Sequence, residues 1–289
     1  MIPLYDNVPT RRFPVVTVAL IVINVIVFVY EMTVLFGAGG ESGFSELFYR
    51  MGTIPYEISH QTDVPPPDYV PFWLTWFSAM FLHGGFFHII FNMLFLWIFG
   101  NNVEDAMGRV KFAVFYALCG LVAALAQVGV DLHEKIPAIG ASGAIAGVLG
   151  AYIILYPRAK VLSVVPLIIF WQLIWVPAWV LLVIWFALQL ISGLASLGSD
   201  LVDVAYFEHI GGFLAGLLLV FALAPAARRR GGGAAPPPSG PGGPPDRRDG
   251  APWGVPAGWE AWRPRGQQPP PGGAYPGRPW APYEGRWGR

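Results

Sequence analysis

The sequence predicts an all-α membrane protein: six transmembrane helices in a bundle, followed by a disordered Pro/Gly/Arg-rich C-terminal tail. Three observations predict it. Of 289 residues, 55% are hydrophobic and only 12% charged, with a mean hydropathy of +0.52, too apolar for an ordinary soluble domain. The apolar residues fall in blocks at 14–30, 84–100, 112–130, 139–156, 176–192 and 209–226, each near the roughly 20 residues that cross about 30 Å of hydrocarbon. Basic residues alternate between connections: Arg11, Arg12, Arg109, Lys111, Arg158, Lys160, Arg228, Arg229 and Arg230 on one side, only Arg50 and Lys135 on the other. Helices pair their own backbone groups in lipid, whereas barrel strands would alternate in polarity. The positive-inside rule then puts both termini in the cytoplasm, which fits an even number of spans.

Each element follows in order. Residues 1–13 read as a cytoplasmic N-terminus. The first span follows Arg11 and Arg12 but is too long, and lacks a small-x-small cleavage site, so it reads as an uncleaved anchor. The single cysteine, Cys119, lies in the third span, which excludes an intramolecular disulfide and a multi-thiolate metal site. The apolar stretch 161–175 is interrupted by Pro166 and followed by Pro177, and reads as an interfacial or re-entrant piece leading into the fifth span. The membrane domain spans 14–226. Residues 227–289 hold 15 Pro, 15 Gly and ten Arg against four acidic residues, a composition that cannot bury enough apolar surface to order itself.

With lipid as solvent, polar side chains inside spans are functional candidates. They are His88 and Asn92 in the second span, Gln127 in the third, Ser142 in the fourth, Gln189 in the fifth and His209 opening the sixth, with His83 just ahead of the second. Counting from the basic anchors at about 1.5 Å per residue, Ser142 lies about 24 Å above Arg158, Asn92 about 25 Å above Arg109 and His209 about 28 Å above Arg228. A hydroxyl, an amide and an imidazole thus share one depth. Gln127 and Gln189 read as interhelical hydrogen bonders. Singly, each residue has a packing or interfacial explanation; the weight lies in the shared depth.

The fourth helix, from residue 143 to 156, covers only about 21 Å, so the loop before it must dip into the protein. Ser142 then sits at a helix N-terminus, where free N–H groups favour developing negative charge. Gly140 and Gly143 allow close approach of a substrate. A serine needs a base, and His209 is the one at its level. The small-xxx-small face Gly212–Gly216 lets the sixth span pack tightly on the glycine-rich fourth. No carboxylate lies deep in the spans, so a Ser–His dyad is the simplest reading. The Ser142 N–H, Asn92 and His88 supply an oxyanion hole.

On GASG (140–143), HxxxN (88–92) within FLHGGFFHIIFNMLFLWIFGN and HIGGFLAG (209–216), the chain resembles a rhomboid intramembrane serine protease over residues 14–226. The resemblance implies Ser142 as nucleophile and His209 as general base. It implies His88, Asn92 and Gly140 at the oxyanion hole and His83 as structural support, with Gly143, Gly212 and Gly216 packing the helices. It also implies no metal or cofactor. The implied partners are transmembrane protein substrates, cleaved near the outer surface, and membrane lipid, with no nucleic acid. The implied location is a multi-pass protein of a bacterial inner membrane.

The pattern departs from the family at three places. Trp73-Leu74-Thr75 stands where some members have Trp-Arg, Ala146 where some have an aromatic residue, and Glu208 where a small residue is common. Adjacent helix positions point about 100° apart, which predicts an outward, solvated Glu208. The alternative function is a catalytically inactive relative that binds transmembrane clients, a class marked by loss of the Ser or His that are both present here. A transporter would show inverted repeats, which are absent from the sequence. Access from lipid requires a moving element, expected in the fifth span and the 193–206 loop, with Trp175, Trp179 or Trp185 packing it shut.

Overall fold

The computed structural model describes residues 1–167, 170–197 and 205–224. The predicted tail, and part of the 193–206 loop, lie outside them. The first span is α1 (Val15–Phe36). A loop region then carries α2 (Gly40–Met51), α3 (Pro55–His60) and α4 (Thr75–Ala79). The second span is continuous over Phe86–Met107, built from α5 (Phe86–Phe95), a π-helical turn (Leu96–Gly100) and α6 (Asn101–Met107). The remaining spans are α7 (Arg109–Val130), α8 (Ser142–Leu155), α9 (Ala178–Ser196) and α10 (Tyr206–Leu223). Five of these spans are long and apolar enough to cross a membrane, and α8 is the short sixth, as its length in the sequence predicts.

The bundle is organised around α8, buried at every position from Gly143 to Tyr152. A helix hidden on all sides needs no amphipathic stripe, and α8 is accordingly Gly, Ala and aliphatic throughout. It lies between α7 and α10. A methyl group added at Gly212 would overlap the Gly143 carbonyl oxygen, and one at Gly216 the Gly147 carbonyl. On the other face, side chains at Gly143 and Gly147 would strike Ala123 and Cys119 of α7. Backbone therefore meets backbone, as small-xxx-small packing allows. The residue pairing 143 with 212 and 147 with 216 makes α8 and α10 parallel, so both begin at the same end of the bundle.

At the opposite end lies a three-stranded antiparallel sheet, ordered β1 (Ile2–Asp6), β2 (Lys160–Leu167), β3 (Phe170–Pro177). The stretch expected to be interfacial or re-entrant thus supplies two paired strands, β2 and β3, and the sheet is an addition to the all-helical expectation. Its β-branched residues Val161, Val164, Val165, Ile174 and Val176 favour extended backbone. Pro166 is tolerated because β1 pairs no further than Val164, leaving one edge of β2 free there.

Buried side chains tie this end together. The Asp6 carboxylate accepts from the Tyr152 hydroxyl at the foot of α8 and from Asn102 Nδ2 of α6 at 2.7 Å. Glu104 of α6 accepts from Val16 N at 3.0 Å, Thr17 N at 2.8 Å and Thr17 Oγ at 2.8 Å. It supplies the N-cap that α1, preceded by Pro14, lacks locally.

Two outcomes follow. Gly212→Ala and Gly216→Ala should each destabilise the bundle by about 1–3 kcal/mol through overpacking. Gly129→Ala on α7, where a methyl meets open space, should be near neutral in the same detergent melt. Burial raises Asp6 from 3.8 to about 6, against the lowering effect of the Tyr152 hydrogen bond. Between those values the folded protein binds more protons at Asp6 than the unfolded chain, so its contribution to stability falls as pH rises through this window. Melting temperature should therefore rise between pH 7 and pH 4.5 by more in the wild type than in Asp6→Asn. The difference is on the order of 2 kcal/mol.

Candidate active site

Ser142 is the first residue of α8, and His209 lies in the first turn of the parallel α10. The close backbone contact below them fixes the spacing above: Ser142 Oγ lies 2.8 Å from His209 Nε2. The other imidazole nitrogen, Nδ1, is 2.7 Å from Gln189 Oε1 of α9. An amide oxygen only accepts, so Nδ1 carries the proton and Nε2 is left as the acceptor for the serine hydroxyl. The Trp185 ring, one turn before Gln189, lies beside the imidazole with centroids 5.8 Å apart.

The loop ahead of Ser142 does dip into the protein. Thr53 and Ala138 form a two-way backbone bridge of 3.0 and 2.9 Å, and the Gly140 N–H donates to the Ala79 carbonyl at 2.8 Å. Gly140 has φ +122°, and a Cβ there would stand 2.8 Å from His88 Nε2. Only glycine fits both the dihedral and the space.

His88 and Asn92 lie one turn apart on α5 and face the same cavity as Ser142 and His209, a cleft of about 740 Å³. The Gly84 N–H donates to His88 Nδ1 at 3.4 Å, which leaves the proton of a neutral ring on Nε2, the nitrogen nearest Gly140. Asn92 is buried, and its Nδ2 has no hydrogen-bond partner among the described residues. An unpaired buried donor aimed at a cavity costs about 1–3 kcal/mol unless something arrives to accept from it. His88, Asn92 and the free N–H groups at the start of α8 thus border one cleft beside Ser142.

His83 is fully buried behind this group. Its backbone N–H donates to Glu31 Oε1 at 3.0 Å and its ring meets His88 edge-on at 5.0 Å. Burial, reinforced by neighbouring His88, lowers its pKa to about 3, so it stays neutral. Gly143, Gly212 and Gly216 occupy the contact that brings α8 to α10. Among the described residues no group of three metal-ligating side chains occurs.

Two expectations need correction, and a third gains a partner. Glu208 is not solvated: it is 5% exposed and folds toward Gly143. The 100° offset from His209 holds, but α7 and α8 cover that side as well, and side chains of a first helical turn lean back toward the N-terminus. Gln189 is an interhelical hydrogen bonder as expected, and its partner is the His209 imidazole. Its only sequence signal was a polar residue inside a span. Trp175 belongs to β3, edge-on to Tyr5 at the sheet end, and is no part of a gate beside the serine. Trp179 is half exposed, and of the three tryptophans only Trp185 lines the cavity.

Residues 71–226, more than half of the chain, match the Rhomboid domain family model. The chain belongs to the rhomboid family. It is 33% identical over 99 residues to Rhomboid protein 1, mitochondrial, of Saccharomyces cerevisiae, covering 33% of this chain and 29% of that protein. It is 33% identical over 148 residues to RHOMBOID-like protein 5 of Arabidopsis thaliana, covering 50% and 42%. It is 37% identical over 79 residues to Rhomboid protease GluP of Bacillus subtilis, covering 27% and 15%. The chain thus spans less than half the length of each of these relatives. The rhomboid protein is a multi-pass membrane protein with its polar cluster in a cleft at one end of the bundle.

Proposed function

We propose that this rhomboid is an intramembrane serine endopeptidase, cutting transmembrane segments of other membrane proteins near the outer surface. Both termini are then cytoplasmic, as the alternation of basic residues indicates, and the membrane domain is 14–226. The observation that carries the reading is the 2.8 Å contact between Ser142 Oγ and His209 Nε2 beside an unpaired Asn92 donor. His209 Nε2 takes the hydroxyl proton as Oγ bonds to the scissile carbonyl carbon. The carbonyl oxygen becomes an oxyanion between the Ser142 N–H, His88 Nε2–H and Asn92 Nδ2. His209 returns the proton to the leaving amine as the C–N bond breaks. Water then enters from the cleft and gives a proton to His209 as its oxygen bonds to the acyl carbon, and His209 passes that proton to Ser142 Oγ as the ester bond breaks. A client-binding relative without activity has no need of a hydroxyl held on a correctly protonated imidazole.

Because the two residues act as a unit, Ser142→Ala, His209→Ala and the double variant should lose nearly equal activity on a model transmembrane substrate. Additive losses, or cleavage by Ser142→Ala, would sink the assignment. A fluorophosphonate probe should label Ser142 and leave the other serines unmodified. Asn92→Ala should lower turnover by roughly 10²–10³-fold with the melting temperature held; unchanged turnover would reduce Asn92 to helix packing.

A further inference from the structure

We propose that Gln189 is a positioning residue for His209, and that through it the seating of α9 decides whether the base is ready to act. The inference rests on the protease reading above. His209 has three neighbours of consequence, and two of them, Gln189 and Trp185, belong to α9. Without the Gln189 oxygen, Nδ1–H would be an unpaired donor in a largely buried position. The proton would then gain by moving to Nε2, where the Ser142 oxygen can accept it. That tautomer offers no lone pair to the serine hydroxyl, so the nucleophile loses its base with every other atom in place.

The rest of α9 shows why this bond is sensitive to the helix. Its contacts with α10 run along one stripe: Phe186 stacks on Phe213 at 4.6 Å, and Gly193 faces Tyr206 and Ile210. Its other face is apolar and exposed, through Val183, Ile184, Leu188 and Ile191. α9 is therefore a wall of the cleft held on one side only. Any outward movement that widens the cleft between α9 and α5 carries the Gln189 oxygen away from Nδ1. Opening the wall and arming the base are in that sense exclusive, and a substrate is cut only after α9 has closed again.

Three variants of the full chain test this in one detergent: Gln189→Leu, which keeps volume and removes the acceptor, Gln189→Glu, which restores an acceptor, and Ser142→Ala. Gln189→Leu should lower kcat by roughly 10- to 100-fold with KM within about twofold, and Gln189→Glu should recover most of that loss. Melting temperatures confirm that each variant is folded. Nitrogen-15 NMR of labelled histidine reads the tautomer without turnover: His209 should be protonated at Nδ1 in the wild type and in Ser142→Ala, and at Nε2 or mixed in Gln189→Leu. Wild-type kcat in Gln189→Leu, an unaltered tautomer there, or Gln189→Glu as slow as Gln189→Leu would each overturn the positioning role. A wild type with the Nδ1–H signature that neither cleaves nor reacts with the fluorophosphonate would overturn the protease reading and leave the positioning of the imidazole standing.

Discussion

The structure depends on one contact, the backbone-to-backbone approach of α8 and α10 where Gly143 meets Gly212 and Gly147 meets Gly216. In lipid no hydrophobic force drives apolar helices together, so close van der Waals contact and polar pairing must do so. Removing side chains from both faces brings two parallel helices within reach along their first three turns. Their N-termini then coincide, and a serine at the head of one must meet a histidine at the head of the other. The Ser142–His209 contact is thus a consequence of packing several ångströms below it. The loop ahead of Ser142 is pinned independently, by the Thr53–Ala138 bridge and the Gly140–Ala79 bond.

Most of the site was legible because the membrane makes polar residues conspicuous. Ser142, His209, Asn92 and His88 stand out against apolar surroundings, and the uniform rise of a helix turns residue counts into depths. The four converge in one cleft, as those depths predict. Gln189 carried the same mark but no partner could be named for it, because depth says nothing about rotation about a helix axis. Rotation also misplaced Glu208, whose orientation depends on which neighbours cover the start of α10. The paired strands β2 and β3 escaped for a different reason: they are apolar on both faces, and the cross-strand pairing that orders them is not written in either strand alone. Glu104 was equally hidden, since the helix it caps begins almost ninety residues earlier.

The two ends of the bundle solve opposite problems. At the sheet end the polar groups at the foot of α8 are paired: Asp6 takes Tyr152 and Asn102, and Tyr156 donates to the Asn102 carbonyl at 2.9 Å. At the serine end several polar atoms among the described residues have no partner, including Asn92 Nδ2, His83 Nε2, Gln127 Oε1 and Glu208 Oε2. Satisfied groups rigidify, and unsatisfied ones around a cleft are the usual mark of a place where something binds. A single short helix links the two, anchored at its foot and open to the cleft at its head.

The pairing of Ile2 with Val164 has a consequence for how the molecule is made. β1 leaves the ribosome before α1, yet its partner β2 emerges only after α8. Closing so long a loop is slow relative to local helix formation. α10 is made later still, so Ser142 stands for a time without the His209 imidazole beside it. A chain interrupted at that stage holds the Ser142 hydroxyl without the His209 imidazole, and α10 is the helix that brings the two together.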